Sequence, residues 1–275
     1  QPLIPPQDIL VVTRRPLGRD IKRQLPKVPK KNIISEPVGR NTAPCIGLAA
    51  KKIKEDAVMV VLPVDHIVKL RRKFLDTLKM AITLARETES LITIGIKPTY
   101  PATGYGYIEA GAREKQKGIS DKRQVFKVKR FVEKPDEKRA ERFLKSDRFF
   151  WNSGMFVWRK SVILKAIAKY MPSLYRGLQM VSSENMSKSY PKLPNISIDY
   201  GVMEKAKNRL VIPADFSWED LGSWESLDKF LSHDENRNTI IGKVSMIDSR
   251  SCLMINKKGL LSAIGVSDLI VVSTE

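Results

Sequence analysis

The feature that most constrains this chain is the way aliphatic runs alternate with helical patterns from its first residues to Ile96. "DILVVT" (8–13), "NIISEP" (32–37), "AVMVVLP" (57–63) and "LITIGI" (91–96) read as strands, because they are short, rich in β-branched residues and bounded by turn formers. Between them, "NTAPCIGLAAKKIKE" reads as a helix capped by Asn41 or Thr42, with Pro44 in the first turn, where its missing N–H costs nothing. "RRKFLDTLKMAITLARET" places Phe74, Leu78, Ala81 and Ala85 on one helical face. Strands that are aliphatic throughout, rather than alternating, are buried on both faces. The expected fold class is therefore α/β, with a mostly parallel, Rossmann-like sheet covered by helices.

Beyond residue 100 the texture changes. "TGYGYIEAG" and "QVFKVKRFVEKP" suggest an antiparallel insertion, followed by a helix at "DEKRAERFLKS" and a strand at "FFWNSGMFVWR". A helix from Lys160 to Val181 should break at Pro172. "RLVIPAD" returns to strand and "GSWESLDKFL" to helix. After Asn236 short strands and turns dominate, so the expected domains are 1–231 and a strand-rich C-terminal segment, 232–275.

Composition narrows the function classes. The net charge is +19, with Lys and Arg crowded into 14–31 and 113–148. Acids interleave the second cluster and no helix-turn-helix, zinc-finger or RNA-binding signature occurs, so nucleic-acid binding is not expected as the main function. A solvated basic exterior, or a site for phosphorylated small molecules, explains the charge as well. No apolar run approaches the roughly 18 residues of a membrane helix, and no membrane partner is expected. "QPLIPPQDIL" lacks the charged start and long apolar core of a signal peptide. Cys45 and Cys252 offer neither a disulfide framework nor metal spacing, which suits a cytoplasmic location.

Chemistry-bearing residues gather at strand ends. Asp65, just beyond "AVMVVLP", lies where parallel sheets bind ligands. It reads either as a turn or helix-cap acid, or as a ligand of Mg²⁺, which one or two carboxylates and substrate phosphates usually hold. Asp220 in "FSWEDLGSW" is similarly placed, with Glu219 an equally available carboxylate and a helix N-terminal acid the simpler reading. In "FVEKP", Glu133 and Lys134 should point to opposite faces, one suited to sugar hydroxyls and the other to a phosphate, unless both are simply solvated. Gly104 and Gly106 permit close approach of a ligand, or merely a turn. Neither a Walker A loop nor a nucleophile elbow is present, so covalent catalysis has no local support.

Taken in order, "EPVGRNTAPCIGLAA", "LPVDH", "TGYGYIEAG", "FVEKP", "FFWNSGMFVWR", "SIDYGVMEKA" and "WEDLGSWESL" resemble the mannose-1-phosphate guanylyltransferases. The resemblance implies a Mg²⁺-assisted, in-line attack of mannose 1-phosphate on the α-phosphorus of GTP, giving GDP-mannose and pyrophosphate. It further implies catalytic roles for Asp65, Lys134 and Asp220, with Asp65 and Asp220 on the metal. Glu36, Arg40 and Asn41 would meet the nucleotide, and Gly104, Glu133, Asn152 and Asp199 the sugar. The partners expected are GTP and mannose 1-phosphate, and a homodimer is compatible with the pattern. The related alternatives are a sugar-1-phosphate nucleotidyltransferase of other base or sugar, and a binding protein without catalysis. The family's Gly-rich loop of the type GGxGxRLxPLS, which cradles the triphosphate, has no counterpart in this sequence. Little or no transferase turnover is therefore expected of these 275 residues by themselves.

Overall fold

A computed structural model describes residues 3–114 and 124–274. They form two compact units, Gln1–Pro63 with Leu70–Phe216, and Val64–Lys69 with Ser217–Glu275. The expected C-terminal segment from 232 lies wholly inside the second unit, which also takes in residues 217–231 and the excursion at 64–69.

In the first unit β1 (Val11–Arg14) and β2 (Ile33–Glu36) form a parallel pair, joined through α1 (Gly18–Gln24). The basic run at 14–31 therefore holds a short helix that its charge pattern did not suggest. α2 (Thr42–Lys52) leads to β3 (Val58–Val61), and β4 (His66–Val68) belongs to the second unit. Then follow α3 (Arg71–Glu87), β5 (Leu91–Ile96), β6 (Tyr107–Arg113), β7 (Phe126–Val132), α4 (Glu137–Leu144) and β8 (Phe149–Arg159). α5 (Lys160–Tyr170), α6 (Pro172–Met180), α7 (Met186–Ser189), a π-helical turn at Asp199–Met203 and β9 (Arg209–Pro213) complete it. The helix expected at 160–181 does break where Pro172 cannot continue the ladder: Met171 leaves helical geometry with φ −135° and ψ 58°.

The central sheet runs β3-β8-β5-β9-β7-β6, and β8 also pairs with β6. Hydrogen bonding thus passes from β5 through β8, β6, β7 and β9 back to β5. The α/β class is as expected, but the balance of strand directions is not. β3, β5 and β9 run in one direction; β8 enters between β3 and β5 in the opposite sense, and within this sheet only β5–β9 is a parallel pair. The sequence "FFWNSGMFVWR" reads as a strand in either direction, because a run buried on both faces has the same pattern parallel or antiparallel.

Alternation along the strands builds three layers. Leu91, Phe156 and Trp158 join a core with α2, α5 and α6 residues such as Ile46, Ile163, Ile167, Leu174 and Leu178. Ile92 and Val157, one residue out of step, join the opposite core with Met80, Ala81, Leu84 and Ala85 of α3. Side chains one residue apart on a strand face opposite sides, so each strand fills both cores. Two lysines serve the packing: Lys51 Nζ donates to the carbonyls of Leu178 (2.7 Å) and Val181 (2.6 Å), closing the end of α6, and Lys160 Nζ donates to that of Ile53 (2.6 Å) after α2.

In the second unit β4 pairs antiparallel with β10 (Trp218–Asp220), and α8 (Trp224–Asp228) follows. The remainder coils: β11 (Thr239–Ile241), β13 (Leu253–Asn256) and β15 (Ile270–Ser273) stack in parallel, as do β12 (Val244–Ile247) and β14 (Leu261–Ile264). Corners this tight need left-handed residues. Gly242 has φ 95°, and a Cβ there would lie 2.0 Å from the Asn256 carbonyl oxygen. Buried Asn238 ties turns together, donating to the Ser249 carbonyl (3.0 Å) and accepting from the Cys252 amide (3.0 Å).

Candidate functional site

Within the first unit, three of the four residues expected at the sugar converge. β6 and β7 pair Tyr107 with Val132, which brings Gly106 beside Glu133 where the ladder ends. A Cβ on Gly106 would lie 2.5 Å from Glu133 Oε2, and one on Gly104 would meet nothing within 4 Å. The glycine whose missing side chain admits the Glu133 carboxylate is therefore Gly106, while Gly104 stands in open space. Asn152 of β8 donates its backbone N–H to the Gly106 carbonyl (2.8 Å) and its Nδ2 to Asp199 Oδ1 (2.7 Å).

The electrostatics of this cluster follow from burial. Desolvation pushes the Asp199 carboxyl above its ordinary range, with the Asn152 hydrogen bond partly opposing it. Glu133 is raised by burial and by the nearby Asp199 charge, against which Lys134 acts. Glu204, which the motif reading did not single out, is raised by burial and again by Asp199. Three carboxyl groups sharing one desolvated corner accept hydrogen bonds from neutral hydroxyls more readily than they accommodate further negative charge. The sequence signal for Glu204 was present in "SIDYGVMEKA", five residues after Asp199, but helical spacing cannot be read across a π turn.

Lys134 is exposed and has φ 39°, a conformation that a residue before proline adopts only under constraint. Asn41 is a second outlier, with φ 66° and ψ −176°, in a region occupied almost solely by glycine. Its side chain accepts from the Thr42 amide (2.9 Å) at the start of α2, and Thr42 Oγ1 accepts from Ile198 N (2.8 Å). Of the other residues expected at the nucleotide, Arg40 is half-buried and its Nε has no hydrogen-bond partner. Glu36 is buried, and its Oε1 accepts from the Tyr190 hydroxyl. That bond, with burial, holds the Tyr190 phenol above its usual range, and Cys45 beside it is pushed up to about 12 by burial and the Glu36 charge. Glu36 thus anchors a buried cluster under the start of α2, a role that its place before "PVGRN" does not disclose.

Asp65 and Asp220 both lie in the second unit, at adjacent positions of one ladder. Asp220 pairs with His66, and the Leu221 amide donates to the Asp65 carbonyl (3.0 Å). Neither acid caps a helix: Asp220 ends β10, and α8 is capped instead by Ser223, which accepts from Ser226 N (3.1 Å). The choice between Glu219 and Asp220 is made by the strand. Glu219 Oε1 accepts from Lys229 (2.6 Å), whereas Asp220 on the other face accepts, among the described residues, the Gly222 amide through Oδ1 (2.8 Å). Trp218 Nε1 donates to His66 Nδ1 (3.0 Å), placing the imidazole proton on Nε2, which lies 3.9 Å from Asp65 Oδ1. Burial lowers the His66 pKa, with Asp220 and Asp65 acting the other way. Among the described residues no group of three or more His, Cys, Asp or Glu side chains could hold a metal. Two open carboxylates with hard oxygen donors are nonetheless the donor set Mg²⁺ takes when water and phosphate complete its shell.

Comparison with known proteins gives the family. The sequence profile of the nucleotidyl transferase family, described as "Nucleotidyl transferase", matches residues 5–237. A mannose-1-phosphate guanylyltransferase of Escherichia coli is 39% identical over 258 residues, covering 89% of this chain and 55% of that protein. One from Klebsiella pneumoniae is 40% identical over 266 residues, covering 92% and 55%. The crystal structure of a mannose-1-phosphate geranyltransferase from Thermus thermophilus superposes with a TM-score of 0.80 at 30% identity, covering 100% of this chain and 79% of that one. The chain spans about half the length of the curated relatives it matches. The profile match over most of the chain and the shared fold agree: this chain belongs to the nucleotidyl transferase family.

Proposed function

We propose that the chain serves GMP transfer from GTP to mannose 1-phosphate, with release of pyrophosphate. The observation that carries the reading is the convergence of Gly106, Glu133, Asn152 and Asp199 into one desolvated, hydroxyl-accepting corner. The names of the guanylyltransferase relatives support the choice of substrates.

In this reading an oxygen of the sugar phosphate displaces pyrophosphate from the α-phosphorus in line, so no enzyme nucleophile is needed and positioning is the main demand. Glu133, Asp199 and Asn152 accept from or donate to sugar hydroxyls, which fixes the direction of the sugar phosphate. Lys134, exposed and held at a strained φ, offers its ammonium to that phosphate. Arg40 and Asn41 meet the nucleotide, and Glu36 supports their loop through Tyr190. Asp65 and Asp220 would hold Mg²⁺, which when bound would neutralise phosphate charge and favour departure of pyrophosphate. Two free cysteines, one buried, are in keeping with a reducing compartment such as the cytoplasm.

Thermal unfolding with added nucleotides tests the specificity. GTP and mannose 1-phosphate should each raise the unfolding midpoint, and UTP and dTTP should not. A larger shift with UTP or dTTP would transfer the assignment to a nucleotidyltransferase of different base.

A further inference from the structure

We infer that the first unit carries a second anion site, remote in sequence role from the sugar corner and built to take a phosphate-bearing small molecule. A cavity of about 370 Å³ is lined by Glu109, Arg130, Arg139, Arg142, Phe143 and Phe149. Three guanidinium groups thus face one carboxylate, and that carboxylate is already spent. Glu109 is buried, with Oε2 accepting from Arg130 Nε (2.5 Å) and Oε1 from Lys129 Nζ (2.7 Å). These bonds hold the Glu109 carboxyl below its ordinary range although burial opposes them.

Each arginine is held at its stem by a group of this chain. Arg130 is pinned through Nε to Glu109. Arg142 donates its Nε to the Lys138 carbonyl one helical turn back (3.2 Å). Arg139 lies over the Phe143 ring at 5.9 Å, and that ring is stacked on Phe149 at 4.0 Å. Among the described residues the terminal nitrogens of Arg130 and Arg142 have no acceptor, and Arg139 and Arg142 pair with no carboxylate. Guanidinium groups left in this state, fixed at their stems and open at their forks, match the geometry of a phosphate. A bare anion would leave most of the cavity empty, since its volume falls within the roughly 300–1,000 Å³ of small-molecule pockets. The phenylalanine rings are 7% exposed each, stacked on one another with Arg139 over Phe143, which favours a compact phosphorylated compound over a nucleotide.

None of Gly106, Glu133, Asn152 and Asp199 lines this cavity, and Arg130 lies within β7 whereas Glu133 follows its end. A ligand in this cavity therefore need not compete with one at Glu133.

The test is calorimetric titration of the full chain with inorganic phosphate and with glycerol 3-phosphate at about 0.15 M salt, where diffuse attraction to a basic surface is screened. The expected result is saturable binding, tighter for glycerol 3-phosphate. Binding should weaken by about tenfold or more in an Arg139→Gln/Arg142→Gln variant and persist in Lys134→Ala. Arg142 is exposed and Arg139 half-buried, and an unchanged unfolding midpoint will show that the variant folds; an Arg142→Gln single variant, weaker in effect, gives the same reading if the double variant unfolds. Equal binding by wild type and the arginine variants would overturn the assignment, as would loss of binding in Lys134→Ala alone or heat that never saturates.

Discussion

The corner at Gly106 and the acids at Asp65 and Asp220 are both built of carboxylates at strand ends, yet they are organised in opposite ways. In the corner, Asp199 and Glu133 are desolvated, raised in pKa and tied to Asn152 and Gly106 before any ligand arrives. In the ladder of β4 and β10, Asp65 keeps 64% of its side chain exposed, and Asp220 accepts, among the described residues, from the backbone two residues on. If the corner takes a sugar and the ladder a metal ion, the difference sets where each would get its affinity. A neutral polyol can be recognised by acceptors positioned in advance, because burying them costs less when hydroxyls replace the lost water. A dication is better met by carboxylates left in water, which gather around it and keep their charge.

The largest effect should come from breaking the preorganised corner. Asn152→Ala removes the donor to Asp199 and leaves that oxygen buried without its partner, at a cost of about 1–3 kcal/mol in stability. Chemical denaturation will measure it, and the same variant should bind mannose 1-phosphate more weakly.

A smaller effect concerns pH. Asp199 binds its proton more tightly in the folded chain than in the unfolded one, whose pKa lies near the ordinary 3.8. Between that value and the raised folded one the native state holds more protons, so this residue makes stability fall as pH rises. Asp199→Asn should flatten that fall in unfolding midpoints followed upward from pH 3.8. A steeper fall would show that the group is stabilised in its charged form.

The smallest change in stability is expected at the open pair. Asp65→Asn and Asp220→Asn should leave the metal-free unfolding free energy within about 0.5 kcal/mol of the parent, since both side chains border solvent. Each should remove the stabilisation that added Mg²⁺ gives the parent chain. Equal stabilisation of parent and variants by Mg²⁺ would separate the metal from this ladder.

The sequence made some of this visible and hid the rest for identifiable reasons. Helices with strong periodicity or a proline punctuation, such as α3 and the break at Pro172, were legible because local rules decide them. The place of β8 between β3 and β5 was not, since strand order depends on distant pairings that an evenly apolar run does not encode. At the site, the motifs indicated Glu133, Asn152 and Asp199, and the structure joined them. Local pattern did not separate Glu219 from Asp220, and the resemblance pointed to Gly104 where the structure sets Gly106 beside Glu133, because neighbouring identical or similar residues differ only in the face they present. The buried partnership of Glu36 with Tyr190 spans residues too far apart for spacing to reveal.

As a sugar-phosphate site, the corner would depend for its fit on the bare backbone of Gly106. Gly106→Ala puts a methyl group where Glu133 Oε2 now lies, a contact the flexible carboxylate relieves by swinging away. Calorimetric titration of mannose 1-phosphate into the parent and the variant tests this directly. The prediction is saturable binding by the parent and an affinity lower by about tenfold or more in Gly106→Ala, with little change in its unfolding midpoint. Equal affinity in the two chains would contradict it.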